Sequence, residues 1–227
     1  MLLEMTPAAE QQMMHHLQQS PRLPFYLKEL NALLADEKKR RQTFYAQVQE
    51  DDKVEFINGE IIFQSPVKLQ HNAAAGHVYR LVSTYVLIHD LGYVGFEKIL
   101  VSLSRNDYEP DVCYFRREKA AKFTPRQMQF PAPELVVEVL SDSAVKIDRG
   151  VKFTDYAAHG VEEYWLVDPD AKTVEQYQLA GQEYELVMKG RTGQLASIVL
   201  PGLVFPVSAI FDGEIHYQAL SQILALS

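Results

Sequence analysis

Residues 134–169 read ELVVEVLSDSAVKIDRGVKFTDYAAHGVEEYWLVDP, in which two apolar runs enclose a more polar segment. The runs Leu135–Leu140 and Tyr164–Val167 are short and rich in valine or aromatic residues, which is typical of buried strands. Between them, residues 145–159 favour a helix that ends at Gly160. A strand, a helix and a second strand within about 35 residues predict a right-handed crossover that joins two parallel strands.

The flanking segments predict the rest of an α/β or α+β fold. Asn58-Gly59 lies between apolar-rich runs and indicates a hairpin, because both residues tolerate positive φ. A helical period continues over residues 69–90, and strands are expected at 94–103 and 111–115. We therefore expect a central mixed β-sheet flanked by helices, followed by antiparallel C-terminal strands within residues 173–204.

The first 50 residues predict an N-terminal helical arm, which leaves residues 51–227 as the main domain. This arm is rich in Gln and Met, and a helix is expected over residues 30–49. The basic run Lys38–Arg41 inside that helix is typical of a solvated face. His15 and His16 project about 100° apart on a helix and would make a poor metal clamp.

The composition is that of an ordinary globular protein. Of 227 residues, 47% are apolar and 23% are charged, which argues against a disordered chain. No run approaches the roughly 18 apolar residues of a membrane span, and the N-terminus does not resemble a secretory signal. The single cysteine, Cys113, is too few for an internal disulfide, so we expect a cytoplasmic protein. The net charge of −8 gives no support for general nucleic-acid binding.

Glu138 is the anomaly in this sequence, because it interrupts the apolar run Leu135–Leu140. A lone ionised carboxylate in a buried strand costs several kcal/mol unless it is paired, hydrogen-bonded or bound to a metal. A strand edge that reaches solvent, or an ion pair with a basic neighbour, would explain the same residue without a functional role.

Asp111 is a second candidate carboxylate, although an Asp after a proline at a strand start is often only a turn residue. If the two strands are neighbours, Asp111 and Glu138 can converge. Two carboxylates about 5 Å apart repel by roughly 3 kcal/mol at an effective dielectric of about 20. A divalent cation removes that penalty, and oxygen ligands with open water positions suit Mg²⁺ or Mn²⁺.

The helix after Glu138 carries a third candidate. Asp148, Lys152 and Tyr156 lie at spacings of four residues and share one helix face. Spacing alone favours a surface pair between Asp148 and Lys152. The alternative is a face that delivers the ammonium to the carboxylate site.

A basic segment, residues 116–126, is a candidate nucleic-acid-binding surface, since any such function must rest on a local basic surface. It has five basic residues and one acidic residue, a net charge of +4 in a chain whose total is −8. It follows the Asp111 strand directly, so we expect it beside the proposed metal, where it would contact phosphates. An ordinary solvated loop is the alternative. The basic residues are Arg116, Arg117, Lys119, Lys122 and Arg126.

Several of these motifs together resemble the Uma-two type of restriction endonucleases, a branch of the PD-(D/E)XK nuclease superfamily. The resemblance covers about residues 50–205, and its most specific part is the block 134–169. It rests on Pro110-Asp111, Glu134–Ser141, Asp148, Lys152, Tyr156, Gly160–Pro169, the hairpin at Asn58-Gly59-Glu60, Ser65-Pro66 and His71.

The resemblance implies a restriction-endonuclease-like core and metal-dependent hydrolysis of DNA phosphodiester bonds. By position, Asp111 and Glu138 match the carboxylates that hold a divalent metal, with a backbone carbonyl near Val139 as a further ligand. The superfamily usually places its lysine two residues after the Glu, but position 140 is Leu. The family resemblance therefore points to Lys152 on the following helix as the catalytic lysine.

Two accessory residues and the partners follow from the same resemblance. Glu60 and His71 are candidate accessory residues, although His71 could equally pack at a helix start. Mg²⁺ or Mn²⁺ is the implied cofactor and DNA the implied partner, without a membrane. A homodimer is implied as well, because cutting both strands needs two sites. The alternatives are an inactive relative that binds nucleic acid or protein, and a partner-binding protein that uses residues 1–50.

Overall fold

The computed structural model describes residues 7–49 and 52–226. The helices are α1 Pro7–Gln19, α2 Leu23–Gln47, α3 Leu69–Ile88, α4 Arg117–Ala120, α5 Val145–Asp148, α6 Val151–Ala158 and α7 Gly213–Leu224, with a 3-10 helix at Val207–Ile210. The strands are β1 Val54–Ile57, β2 Glu60–Phe63, β3 Gly92–Phe96, β4 Leu100–Ser102, β5 Asp107–Tyr108, β6 Val112–Arg116, β7 Gln129–Phe130, β8 Leu135–Val139, β9 Glu163–Asp168, β10 Thr173–Ala180, β11 Glu183–Gly190, β12 Gln194–Ala196 and β13 Val204–Pro206.

The central sheet has six strands in the order β11-β10-β9-β8-β6-β3. Strands β8 and β9 are parallel and the other neighbours are antiparallel, so the predicted mixed sheet is confirmed. A second sheet of five strands, ordered β2-β1-β5-β4-β7, contains the predicted hairpin. Its turn places Asn58 and Gly59 at φ of 51° and 85°, as the Asn-Gly signal requires. The parallel pair β8 and β9 is joined by α5 and α6, as residues 134–169 predict.

Strand β8 is buried on both faces, which explains its continuous apolar run. Leu135, Val137 and Val139 pack in the core cluster that includes α3 and α7. Val136 packs in the cluster on the opposite face, with α6. Because side chains alternate along a strand, Glu138 points to the same face as Val136. The sheet therefore aims this carboxylate at the helix after β8.

Cys113 lies at the centre of β6 and is fully buried. It pairs with Gly95 of β3, where an added Cβ would lie 2.7 Å from the sulfur. Burial raises the pKa of the Cys113 thiol well above its ordinary value. Gly95 thus leaves just enough room for the Cys113 sulfur, and the thiol has no contact with solvent.

The helix predicted over residues 145–159 is broken into α5 and α6. The break lies at Arg149 and Gly150, where a Cβ on Gly150 would be only 2.7 Å from the Lys146 carbonyl oxygen. This close backbone approach needs a glycine, which the helical periodicity alone does not reveal.

Helix α2 begins earlier than predicted, and its second half packs on the domain. Arg41 donates to both carboxylate oxygens of Asp107, at 2.6 and 2.8 Å, and Phe44 is buried. The prediction that Lys38–Arg41 is simply a solvated face is therefore wrong for Arg41. The physical reason is Asp107 on β5, a fully buried carboxylate that needs a cation. Helix α2 lies wholly within the predicted arm, yet half of it packs on the domain. The predicted boundary at residues 50 and 51 lies outside the described residues.

Replacing Asp107 with Ala is expected to lower the free energy of unfolding by roughly 2–3 kcal/mol. The half-buried Arg41 guanidinium loses its carboxylate partner and keeps only backbone carbonyls, and the Tyr45 hydroxyl loses its acceptor. Urea unfolding followed by circular dichroism measures this. The matched control is Asp36→Ala, which removes the exposed 3.0 Å pair with Arg40 and should change stability by less than about 1 kcal/mol. Equal effects of the two substitutions would contradict a buried anchor for α2.

The C-terminal helix α7 was not predicted, although its start carries a recognisable signal. Asp212 is the N-cap and accepts backbone N–H groups from Glu214 and Ile215, each at 3.0 Å. Helix α7 packs on α3, where the His216 and His77 rings stack with centroids 4.0 Å apart. No helix within the described ranges is both long and apolar enough to cross a membrane.

The contact between α3 and α7 is expected to weaken in acid. Burial, His77 and Arg80 lower the pKa of His216 to about 4, against about 6.5 in an unfolded chain. The unfolded chain therefore binds the proton first, and stability that is present above pH ~6.5 is lost as the pH falls towards ~4. Relative to wild type, His216→Phe should gain roughly 1 kcal/mol between pH ~7 and ~5, measured by urea unfolding. A constant difference across that range would contradict this assignment.

Candidate active site

A cavity of about 110 Å³ opens where β6 begins and β8 ends. Val112 pairs with Val137 in these antiparallel strands, so the preceding Asp111 lies opposite Glu138. Both carboxylates line the cavity, and both are buried, with exposed fractions of 7% and 3%. The fold thus brings the two predicted carboxylates to one place, from neighbouring strands.

Asp111 is held from three sides. The backbone N–H of Val139 donates to its Oδ2 atom at 2.8 Å, and His71 Nε2 lies 3.4 Å from the same oxygen. Lys53 Nζ lies 3.9 Å from the other oxygen, Oδ1. Burial acts to raise the pKa of Asp111, but His71, Val139 and Lys53 outweigh it, so the pKa lies below its ordinary value. Asp111 is therefore ionised at neutral pH.

Lys152 lies inside the cavity, among three carboxylates. Its Nζ atom is 2.8 Å from Glu55 Oε1, 3.1 Å from Glu138 Oε1 and 3.3 Å from Asp148 Oδ1. Only 3% of the residue is exposed, so a surface pair between Lys152 and Asp148 is wrong. The reason is that the ammonium also contacts Glu55 of β1 and Glu138 of β8, so the pair with Asp148 is enclosed between α6 and these strands.

The electrostatics of this cluster are set by burial and by the mutual attraction of the ammonium and the carboxylates. Burial opposes the charged form of Lys152, but Glu138, Glu55 and Asp148 raise its pKa well above the ordinary value. Burial also raises the pKa of Glu138 well above its ordinary value, although Lys152 acts in the opposite direction. For the same reason the pKa of Asp148 is raised to about 6. The ammonium is thus the internal counter-ion of a carboxylate cluster.

Two residues of this site, Glu55 and Glu109, were missed by the sequence analysis. The N–H of Glu109 donates to Glu55 Oε1 at 2.9 Å, and the N–H of Val54 donates to Glu109 Oε2 at 3.1 Å. This reciprocal pair fixes the hairpin to the segment before Asp111. Glu55 could have been found by the argument used for Glu138, because it too is a carboxylate within a fully buried strand.

The two predicted accessory residues have different positions. His71, in the first turn of α3, is buried against Asp111. Glu60 is exposed beside the hairpin turn and does not line the cavity, so the structure does not bring it to the carboxylates. The hairpin register explains this, because Glu60 pairs with Ile57 whereas Ile62 pairs with Glu55. Two residues along a strand separate these positions by about 7 Å.

The start of the basic segment does not lie beside the carboxylates. Asp111 directly precedes β6 and Arg116 ends it, and five residues of strand span roughly 17 Å. The prediction that residues 116–126 lie next to the metal site is therefore wrong for Arg116, whereas Arg126 lines a second cavity together with Glu109. The residues that follow Asp111 run along an extended strand, so each one lies further from Asp111 than the one before.

Three of the five basic side chains in this segment are already paired with acidic residues. The pairs are Arg116 with Glu162, Arg117 with Asp90 and Lys119 with Glu134. Lys122 and Arg126 are exposed and have no acidic partner within the described part of the chain. These last two are therefore the basic residues of the segment that form no ion pair within the described residues.

Comparison with known proteins decides the family. A model of the Uma2 family, described as "Putative restriction endonuclease", matches residues 41–208. The chain belongs to the Uma2 family. This Uma2 protein is 34% identical over 144 residues to "Uncharacterized protein sll1609" of Synechocystis sp. (strain ATCC 27184 / PCC 6803 / Kazusa), a match that covers 61% of this chain and 79% of that one.

A solved structure supports the same fold for this Uma2 protein. It is described as "a putative nuclease belonging to DUF820" from Anabaena variabilis ATCC 29413, determined at 1.96 Å resolution. The TM-score is 0.63 at 18% sequence identity, over 78% of this chain and 96% of the other. The restriction-endonuclease-like fold expected from the sequence is thereby confirmed. The family match begins at residue 41, within the half of α2 that packs on the domain.

The donor set of this Uma2 protein fits a hard divalent cation. Within residues 7–49 and 52–226, no group of three or more acidic, histidine or cysteine side chains is placed to hold a metal ion, so any cation would depend on two carboxylates and water. Mg²⁺ commonly takes one or two carboxylates and keeps several waters, so Asp111 and Glu138 satisfy its needs. The buried Asp148 Oδ1 atom has no hydrogen bond within the described residues, although Lys152 lies 3.3 Å away. The cavity therefore has acceptor capacity left for a cation or its waters.

Proposed function

We propose that this Uma2 protein is a metal-dependent endonuclease that hydrolyses DNA phosphodiester bonds. The observation that supports this most directly is the convergence of Asp111, Glu138 and Lys152 on one cavity at the edge of the central sheet. Buried carboxylates beside a buried ammonium are costly for stability, and such clusters are concentrated at functional sites. The Uma2 family membership makes nucleic acid the substrate class to test first.

Each residue has a defined part in the proposed reaction. Asp111, Glu138 and the Val139 carbonyl would hold Mg²⁺ or Mn²⁺, which supplies a Lewis acid and lowers the pKa of a water molecule. The Val139 N–H and His71 keep the Asp111 carboxylate in one orientation. The Lys152 ammonium, fixed by Glu55 and Asp148, can donate to a phosphate oxygen as negative charge grows there. Cleavage of both strands requires two such sites, so the proposal includes a homodimer.

A cleavage assay on supercoiled plasmid and single-stranded DNA tests this function. We expect cleavage with Mg²⁺ or Mn²⁺, none with EDTA, and a loss of at least roughly 10²-fold in Asp111→Asn. The matched control is Asp212→Asn, which makes the same chemical change at the N-cap of α7, where Asn also caps. Cleavage that persists in EDTA would refute the proposed metal dependence of the reaction. DNA binding without cleavage under every condition would support the inactive alternative instead.

A further inference from the structure

A second cavity, of about 560 Å³, is lined by residues of β3 and β4 and by the segment 120–130. This volume lies within the range of roughly 300–1,000 Å³ that small-ligand pockets occupy. The segment 120–130 contains the two basic residues, Lys122 and Arg126, that have no acidic partner within the described chain. The cavity therefore has the size of a binding site and adjoins the available part of the basic segment.

Aromatic rings form one wall of this second cavity. Tyr93 and Phe123 have ring centroids 6.2 Å apart in an edge-to-face arrangement, and the Phe123 and Phe130 centroids are 5.1 Å apart. Phe115 is fully buried in β6 and packs against Phe123, with ring centroids 5.0 Å apart. Tyr93 remains 43% exposed, and the neighbouring Met128 remains 50% exposed. A planar ligand can therefore reach an apolar surface that the core holds in place.

The second cavity is lined by two cationic side chains and by two carboxylates that accept backbone hydrogen bonds. Arg126 and Lys98 line it, and Arg126 is exposed. The two carboxylates of the lining each accept a backbone N–H, at 2.9 Å for Asp52 and 3.1 Å for Glu109. A ligand with an aromatic ring and a phosphate matches this arrangement, since rings stack on aromatic side chains and Arg binds phosphate.

Glu109 connects the second cavity to the proposed active site, because it lines both. It lies two residues before Asp111, and two extended residues span at most about 7 Å. The aromatic wall is further away, because Tyr93 pairs with Phe115, and the four strand residues from Phe115 back to Asp111 span roughly 14 Å. A DNA strand with one phosphate at the carboxylates would therefore reach the aromatic wall with a nucleotide further along the strand.

We propose that the second cavity binds one nucleotide of a DNA strand, with its base on Tyr93 and Phe123 and its phosphate at Arg126. The identity of the ligand rests on the proposed nuclease function, but the binding itself requires no metal and no cleavage. A base in this cavity is unstacked from its neighbours, so single-stranded or locally opened DNA is the form that fits.

A tryptophan reporter tests this subsite. The only native tryptophan, Trp165, is fully buried and donates a hydrogen bond to Glu163. Met128→Trp therefore adds an exposed fluorophore at the cavity. In EDTA, we expect saturable quenching by a short oligodeoxyadenylate, weaker quenching by dAMP and none by inorganic phosphate. In the reporter background, Tyr93→Ala should weaken oligonucleotide binding about tenfold, whereas Tyr93→Phe should not. Arg126→Ala should reduce the slope of log affinity against log salt by about one.

The matched control is Leu87→Trp, at an 80% exposed position near the end of α3 that lines neither cavity. Quenching of equal size there would show non-specific contact and overturn the proposal. Three other results would overturn it: no saturable quenching, quenching by phosphate equal to that by dAMP, or equal affinities of the Tyr93→Ala and Tyr93→Phe proteins. A protein that cuts DNA without this quenching refutes the subsite alone, and quenching without cleavage refutes the nuclease alone.

Discussion

Glu138→Gln is expected to lower the rate of DNA cleavage at least about 10³-fold, because the metal loses a carboxylate whose contribution is several kcal/mol. The same substitution should leave the protein as stable as wild type, or more stable. Burial raises the pKa of Glu138 well above its ordinary value, so at neutral pH the ionised carboxylate is less favourable in the folded chain than in the unfolded one. The amide keeps an acceptor for Lys152 and Tyr156 without that cost.

The matched control for Glu138→Gln is Glu175→Gln, which should have the opposite effects. Glu175 is equally buried, but Arg149 is hydrogen-bonded to it and lowers its pKa to about 2 despite burial, with help from Tyr177 and Lys189. Its ionised form therefore stabilises the fold at neutral pH, and Glu175→Gln should lose stability while it keeps cleavage. Plasmid cleavage and urea unfolding measure both effects. A Glu138→Gln protein that cleaves at the wild-type rate would remove Glu138 from the proposed metal site.

Lys152→Ala is expected to lower the free energy of unfolding by roughly 3–5 kcal/mol in EDTA, because three buried carboxylates lose their ammonium. Those carboxylates are Glu55, Glu138 and Asp148, all within 3.3 Å of Nζ. A divalent cation that enters the cavity would replace part of the lost charge, so Mg²⁺ should restore part of the stability. Cleavage should fall roughly 10²–10³-fold even at saturating metal, because the donor to the phosphate is lost.

Thermal unfolding with Mg²⁺ and with EDTA measures this response. The control is Lys189→Ala, since Lys189 is exposed and its partner Glu175 is also held by Arg149. That variant should melt close to wild type and show no additional response to Mg²⁺. A Lys152→Ala protein with wild-type stability in EDTA would contradict the role of Lys152 as counter-ion. A destabilised protein that ignores Mg²⁺ would argue against a cation site in this cavity.

The sequence predicted the central sheet and singled out Glu138 because both inferences depend on burial. Strand β8 has a long apolar run since both of its faces are covered, and Glu138 was conspicuous within it. The hairpin was predicted correctly from Asn58-Gly59, where a local conformational requirement appears directly in the residue type. Patterns of this kind report whether a position is buried or strained.

The sequence did not reveal which distant residues meet. Arg41 and Asp107 are 66 residues apart, and neither residue type identifies the other. Nothing in the sequence around Lys152 distinguishes it from an exposed lysine. Its burial depends on Glu55, which lies in a different sheet. The break at Gly150 arises from one close backbone contact, and the helical period continues through it. Partner choice is set by the packing of whole elements, which a single sequence does not record.

Because Cys113 is buried in the native protein, the rate at which its thiol is alkylated can measure local opening of the central sheet. A thiol that is buried and held protonated reacts with iodoacetamide only when the side chains packed over it on this face of the sheet move away. Because alkylation follows the population of the open form when reclosing is fast, its rate yields the free energy of that local opening. Asp111 directly precedes β6, so the same labelling rate reports how firmly the sheet edge beneath the carboxylates is closed, and slower labelling on addition of Mg²⁺ would show a cation tightening it.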